Sequence, residues 1–235
     1  MLVINTKFSF VFHLLCTAIF CMFFSACYSP PFQETELVPV DVVDPKTVVE
    51  DFENRLPKSY ETENTIIFRF FRNEIAGLGY ASVDKEAETF EIVCLNHMGM
   101  QLFHISGDQD GNHLRHAMPE FREHPEFVDA VGNDIRLIYF DLIPPDSAEA
   151  RIHRDRSSFR HPREDKTIEY VFGGEEKALL KKRAGTFWRR HWEVTFYEYF
   201  TESGDESDFM FPGGIILHNR RHRYRLIIKT RSVEL

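Results

Sequence analysis

A chain with eleven histidines and four cysteines invites a search for metal and nucleophile chemistry. Histidines hold metals when they converge with one another, or with cysteine and carboxylate, at short spacings. Here His97, His104, His113, His116 and His124 are scattered through turns and strand ends, without acidic or cysteine partners at ligand spacing. His218 and His222 flank a basic turn, Asn219-Arg220-Arg221, that reads as an exposed hairpin. Asp108-Gln109-Asp110-Gly111 opens like a calcium loop but lacks the remaining ligands, so it reads as a turn. There is no Gly-x-Ser-x-Gly elbow, no His-Glu-x-x-His helix, no phosphate-cradling loop and no pair of Cys-x-x-Cys motifs. No metal, cofactor or catalytic residue is therefore expected, and the chain is not read as an enzyme. The residue with the most telling surroundings is a thiol, Cys27.

Lys7 is the only Lys, Arg, Asp or Glu among the first 33 residues, and Phe8 to Phe24 is almost wholly apolar. Small residues Ser25 and Ala26 follow, then Cys27. One positive charge, an apolar core and a small-residue site are the three parts of a secretory signal. The run Phe24-Ser25-Ala26-Cys27 resembles the lipobox of bacterial lipoproteins, whose cysteine becomes the lipidated first residue. An uncleaved membrane helix is the other reading, since spanning a bilayer takes about 17–25 residues. The polar, acidic, proline-bearing stretch from Tyr28 to Asn64 suits a tether better. By the same resemblance, Tyr28 in place of an aspartate favours the outer membrane, facing the periplasm. Two or three acyl chains, at about 0.8 kcal/mol per buried methylene, make such an anchor effectively permanent.

Cleavage would remove Cys16 and Cys21 and lipid would consume Cys27, leaving Cys94 without a partner. An exported chain with no disulfide framework must rely on its core. Cys94 lies within an apolar strand pattern and reads as a small buried hydrophobe. A formal charge of −9 excludes the whole molecule as a polyanion binder, so no nucleic acid partner is expected. Twenty-three phenylalanines imply a large core or a cavity walled for apolar ligands.

The elements that would position such a site follow from periodicity. Residues 28–43 read as a linker. Asp44 caps a helix with Pro45 at its first position and Val48, Val49, Phe52 and Leu56 on one face. Then the period becomes two, giving strands at Ile66–Arg72, Gly77–Asp84, Thr89–Leu95, Met100–Ser106 and His113–Met118. A helical stripe from Pro125 runs through Phe127, Val131, Ile135, Ile138 and Leu142, with Gly132-Asn133 as a candidate break. Residues 146–166, rich in arginine, read as a long exposed loop. It would be a solvated connector or a contact for anionic headgroups. Strands resume at Thr167–Phe172, Ala178–Arg183, Trp192–Phe200, Gly214–Asn219 and Tyr224–Thr230, with an acidic loop at 201–208. Short links imply antiparallel neighbours, so the expectation is α+β: a meander, a helical insertion and a second meander.

Several strands are apolar on both faces: Phe68 and Phe70 against Ile67 and Phe71, Val194 and Phe196 against Tyr197 and Tyr199. A sheet of that kind needs cover on both sides or a cavity on one. Phe68, Phe70 and Phe196 are thus candidate ligand contacts, and a fully packed interior is the alternative.

Two sets of stretches carry a resemblance. Gly77-Leu78-Gly79-Tyr80, Ile92 through Gly99 and Leu102-Phe103-His104-Ile105 look like the first sheet of the lipoprotein carrier and receptor proteins LolA and LolB. Asn133 through Phe140, and Gly213 through Asn219 followed by Tyr224 through Ile228, look like a related family of bacterial lipoproteins of unknown function. The resemblance covers most of 65–235. It implies a single-domain, curved, half-open antiparallel β-barrel with helices plugging an apolar cavity on its concave side, which takes the acyl chains of lipoproteins in transit. It also maps Met98, in the Asn96-His97-Met98-Gly99 hairpin, onto an exposed apolar tip that meets the membrane. The expected organisation is a signal peptide at 1–26, a lipidated Cys27 with linker and helix at 27–64, and this domain at 65–235. The expected function is binding or transfer of a lipid-like or lipidated ligand, an acyl chain or a lipoprotein. A non-catalytic scaffold in envelope assembly is the alternative.

The Cys27→Ser variant should gain no radiolabelled acyl chains and should remain an uncleaved or mislocalised precursor. Wild-type labelling and fractionation of the variant would overturn the lipoprotein assignment.

Overall fold

The computed structural model describes residues 30–39, 44–70, 73–124, 126–186, 189–204 and 207–235. The segment 1–26, Cys27, Phe71 and Pro125 lie outside the described residues. Helix α1 spans Pro45–Glu53, where the Asp44 side chain accepts a hydrogen bond from the Lys46 amide at 3.0 Å and Pro45 sits in the first turn. That capping satisfies one of the orphan amides of the first turn. Val48 and Phe52 are the buried residues of the helix, and Leu56 packs beside them.

Twelve antiparallel strands follow, interrupted once by helices: β1 Ser59–Phe70, β2 Asn73–Asp84, β3 Thr89–Leu95, β4 Gln101–Asp108 and β5 Gly111–Ala117. The insertion is α2 Pro119–Arg122 and α3 Phe127–Tyr139. The second run is β6 Glu149–Ile152, β7 Arg156–Arg163, β8 Lys166–Gly173, β9 Ala178–Gly185, β10 Arg190–Ser203, β11 Asp208–Asn219 and β12 Tyr224–Glu234. All lie in one sheet ordered β5-β4-β3-β2-β1-β12-β11-β10-β9-β8-β7-β6, which is not closed because β5 and β6 do not meet. The two meanders join where β1 pairs with β12, from Glu61↔Glu234 to Phe70↔Tyr224. This is the expected curved, half-open barrel, with the helices on its inner face.

Charge hid two strands. Residues 146–166, expected as a loop, contain β6, β7 and the start of β8. Their outward positions carry arginines that pair across strands: Arg160 Nε donates to Glu169 at 2.9 Å, and Arg183 reaches the other oxygen of the same carboxylate. Their inward positions include a buried serine, Ser157, beside the buried Phe159, so no apolar alternation shows. Pro162 pairs with Thr167 on β8 but lies past the end of the β6 ladder, where its missing amide is not needed.

The linker reading of 28–43 also changes. Residues from Phe32 onward belong to the same compact unit as the sheet. Phe32, 6% exposed, covers Tyr197, Ile216 and Ile227 on the outer face, and the Gln33 amide donates to Glu198 Oε1 at 2.8 Å. Ile67 joins this patch. Tyr199, expected on the same face as Tyr197, lies on the inner side instead, with its hydroxyl donating to Leu179 O at 2.7 Å and its ring against Phe52. The cause is a break in the ladder between Tyr197↔Gly214 and Tyr199↔Pro212, where Glu198 takes φ 52°. A strand that leaves extended geometry at one residue re-aims the side chains beyond it. The acidic loop is shorter than 201–208, because Ser203 still pairs with Asp208.

Helix α3 runs unbroken through Gly132-Asn133. Gly132 serves a close approach: a Cβ there would come 2.1 Å from Asn112 Oδ1 on β5. At the other end of α3, Lys182 rises from β9 with its side chain fully buried. Its ammonium donates to Asp141 O at 2.5 Å and Leu137 O at 3.2 Å, flanked at 5.6 Å by the rings of Tyr170 and Trp192. A cation there satisfies carbonyls that a helix end leaves open and complements its dipole. Burial pushes the lysine pKa down to about 8, against the pull of Asp141. Among the described residues, no helix is long and apolar enough to cross a membrane.

Phe52 is 1% exposed and meets Phe172 edge-on at 5.5 Å, so α1 is part of the core. Phe52→Ala should cost about 3–5 kcal/mol in urea unfolding and open α1 to proteolysis. Leu37→Ala, at a site 41% exposed, should change little. Equal stabilities for the two variants would mean that α1 is a tether.

Candidate functional site

Small side chains and a stand-off helix create a void on the inner face. Strand β2 presents Gly77, Gly79 and Ala81 in alternation as a low floor, with Ile66 and Phe68 of β1 beside them. Leu226 and Ile228 of β12 form one wall, Ile92 and Cys94 of β3 another, and Val131 and Ile135 of α3 the roof. The cavity so enclosed has a volume of about 130 Å³ and an almost entirely apolar lining. Cys94 is a free, buried thiol, and burial pushes its pKa up to about 11, so it contributes bulk rather than reactivity.

The roof is pinned near its N-terminus by rings. Phe103 of β4, Phe121 of α2 and Phe127 of α3 form a mutual cluster with centroids 5.1 to 5.6 Å apart. Edge-on and tilted rings at such distances attract beyond simple burial. Farther along α3, Asp134 enters the cavity wall at 6% exposure. Tyr224 of β12 donates its hydroxyl to Asp134 Oδ2, and Asn219 donates to that hydroxyl at 3.0 Å. Burial pushes the Asp134 carboxyl up to about 7, and its hydrogen bonds with Tyr224 and Asn219 hold it back from rising further. Deeper in, Asn64 donates to Thr62 at 2.8 Å while its Oδ1 is buried without a partner, an acceptor facing the void.

The sequence-derived residues separate into three places. Phe68 lines the cavity, and Phe70 packs on it with centroids 5.2 Å apart near the β1–β2 turn. Phe196 lies elsewhere: at 2% exposure it packs under α1, beside a void of about 30 Å³ shared with Phe52, Tyr60 and Ile138. Met98 is 71% exposed at the β3–β4 turn, which stands at the same end of the sheet as the β1–β2 turn. The Asn96 side chain fixes that tip by accepting from the amides of Met98 and Met100 at 2.9 Å each, and Gly99 supplies the left-handed φ of 80°. Met100, 46% exposed, widens the apolar tip, though its place at a strand start gave no sign of this. Asp134, Tyr224 and Lys182 were missed too; their one signal is a polar residue at an inward position of an apolar pattern. Among the described residues, no group of three or more histidine, cysteine or acidic side chains could hold a metal.

No protein-family model matches the sequence, and no curated protein matches it. Among solved structures, the chain is similar to a LolA superfamily protein from Nitrosomonas europaea, with a TM-score of 0.52 at 10% identity. That match covers 83% of this chain and 94% of the other. A weaker likeness is to a protein described as an outer membrane lipoprotein-sorting domain from Vibrio parahaemolyticus, with a TM-score of 0.47 at 8% identity. It covers 80% of this chain and 90% of that one. The first similarity shows the LolA-like fold.

Asp134 predicts a pH dependence. Its folded pKa is raised, so its contribution to stability is full below the ordinary carboxylate pKa and is lost as pH rises through about 7. Thermal melts from pH 4 to 8.5 should therefore show wild type losing stability relative to Asp134→Asn across that window. Parallel profiles would mean that the carboxyl is not desolvated.

Proposed function

We propose that this chain is a non-catalytic lipid-handling protein of the bacterial envelope, taking an acyl chain into the cavity beneath α3. The proposal includes an anchor at Cys27 that holds it at the outer membrane, facing the periplasm. The observation that carries the reading is the void itself. Protein interiors are packed to crystal density, yet this sheet keeps an apolar space of about 130 Å³ under a helix that could have lain flat against it. The LolA-like fold supports the same reading.

Size sets the mechanism. An apolar void of ~150 Å³ accommodates a ligand the size of benzene, so the closed cavity admits only the leading methylenes of a chain. A longer chain requires α3 to lift. The Lys182 clamp fastens its C-terminal end, whereas the N-terminal end is held by the Phe103–Phe121–Phe127 rings and by a hydrogen bond from Asn112 of β5 to the exposed Asp129 at 3.3 Å. Opening is therefore a tilt about the Lys182 end, which breaks the Asn112–Asp129, Arg136–Asp108 and Asp134–Tyr224 hydrogen bonds on the way. The cavity's outer residues, Phe68 and Ile75, stand at the same end of the sheet as Met98 and Met100, so a chain would leave beside an apolar tip.

Full-length protein in neutral detergent should bind a fatty-acyl fluorophore with saturable stoichiometry. Val131→Phe fills roof space worth about two methylenes, and at ~0.8 kcal/mol each it should weaken binding about tenfold without lowering the melting temperature. Met98→Glu should bind normally but transfer the chain to liposomes more slowly. Absence of saturable binding by wild type would move the assignment to a scaffold with a closed interior.

A further inference from the structure

The outer face carries a row of charges running across nine strands, one residue per strand: Glu149, Arg160, Glu169, Arg183, Glu193, His218, Arg225, Arg69 and Glu74, each opposite the next in the strand register. From Glu149 to Glu193 the signs alternate, as a structural ladder requires, since like charges directly opposite are destabilising. The alternation then fails. His218 faces Arg225, and Arg225 faces Arg69, with no acid between them.

At that interruption the surface is concave. An open basin of about 850 Å³ is lined by His218, Arg225 and Arg69. The β9–β10 and β11–β12 turns add Arg189, Arg190, Arg220 and Arg223 around it. Glu74 reaches Arg69 and Glu193 reaches Arg190 (3.2 Å), and among the described residues the basin's lining is without an acid. The local field registers on His218. Burial and the charge of Arg225 lower its pKa, Arg220 and Lys181 add to the effect, and Glu193 opposes it. The overall charge of −9 is therefore no guide to this end of the molecule, because the acids gather elsewhere, as at Glu175-Glu176 and Asp84 to Glu88 at the opposite turns.

We propose that this basin is a binding site for a multiply charged phosphate group, seated on Arg69, Arg225 and His218 and enclosed by the arginines of the two turns. Guanidinium forks match phosphate oxygens in pairs and remain charged at every physiological pH. A phosphate there would sit in the row between Glu193 and Glu74, over the consecutive members His218, Arg225 and Arg69. Tyr224 lines both the basin and the cavity, but the cations that seat the phosphate, His218, Arg225 and Arg69, do not line the cavity. Two sources present this chemistry, a soluble phosphate compound and the headgroup of an anionic lipid.

The test uses full-length protein in neutral detergent micelles, with the imidazole of His218 followed by NMR through a pH titration and assigned with His218→Gln. One arm adds inorganic pyrophosphate, and the other dopes the micelles with phosphatidylglycerol. A seated anion raises the His218 pKa and does so saturably. A rise with pyrophosphate identifies a soluble source, and a rise with phosphatidylglycerol alone identifies a headgroup; either supports the site. The Arg220→Gln/Arg223→Asn pair, exposed turn residues with asparagine suited to the left-handed φ of 58° at 223, should weaken the effect at least tenfold at unchanged melting temperature. Neutralising Arg151 and Arg154, basic residues near β6 and far along the row, should leave it intact. No rise in either arm, or equal weakening by the two pairs, overturns the proposal.

Discussion

The ammonium of Lys182 is the contact on which the arrangement of the inner face depends. A helix laid over a sheet brings its last carbonyls into a region without water, and an unsatisfied carbonyl there costs about 1–3 kcal/mol, more than a typical hydrogen bond contributes net. Lys182 answers for two of them and stands between two aromatic faces. Desolvating an ammonium is itself costly, as its lowered pKa of about 8 records. The clamp therefore adds little net stability. What it does is fix one end of α3 in position, so that the space under the rest of the helix becomes a cavity of definite shape.

The two faces of the sheet solve different problems with the same strands. Inside, the core is largely apolar, and three of its polar exceptions, Lys182, Asp134 and Asn64, touch the helical roof or the void. Outside, a small patch under Phe32 is apolar and a charged row crosses the rest. Alternation along each strand keeps the two sets apart, and it is interrupted where Glu198 turns Tyr199 inward to meet α1.

Much of this was legible in the sequence, and the reasons it was or was not are local. Asp44-Pro45 with Val48 and Phe52 is a complete helix start, and α1 begins there. Period-two patterns gave Thr89–Leu95 to the residue and most other strands to within a few positions. The strands β6 and β7 escaped because serine fills an inward position while arginine fills the outward ones, leaving no contrast to read. Two-faced apolarity had two causes at once. Ile67 and Tyr197 meet a cover on the outside, Phe32, which looked like a lone aromatic in a tether. Phe68 meets a void on the inside, while Phe196, equally apolar and inward, meets a packed helix. Which inward residue faces space depends on where α1 and α3 lie, and that is decided by contacts far apart in sequence. Asp134 to Tyr224 is one, and Leu137 to Lys182 is another.

The seam between β1 and β12 sets the order in which this chain can be assembled. Every other pairing in the sheet joins strands that are neighbours in sequence, so each meander can form from local hairpins as it becomes available. The seam alone must close a loop that contains nearly the whole domain, from Phe70 to Tyr224. The entropy of such a closure grows only slowly with length, but it must be overcome before any contact rewards it, which makes long-range pairing slow. Until the last strand, Tyr224–Glu234, is free to enter, two half-sheets coexist with their central edges unpaired. A ribosome that withholds β12 therefore keeps the halves apart, and their open edges are what a holding chaperone would have to protect.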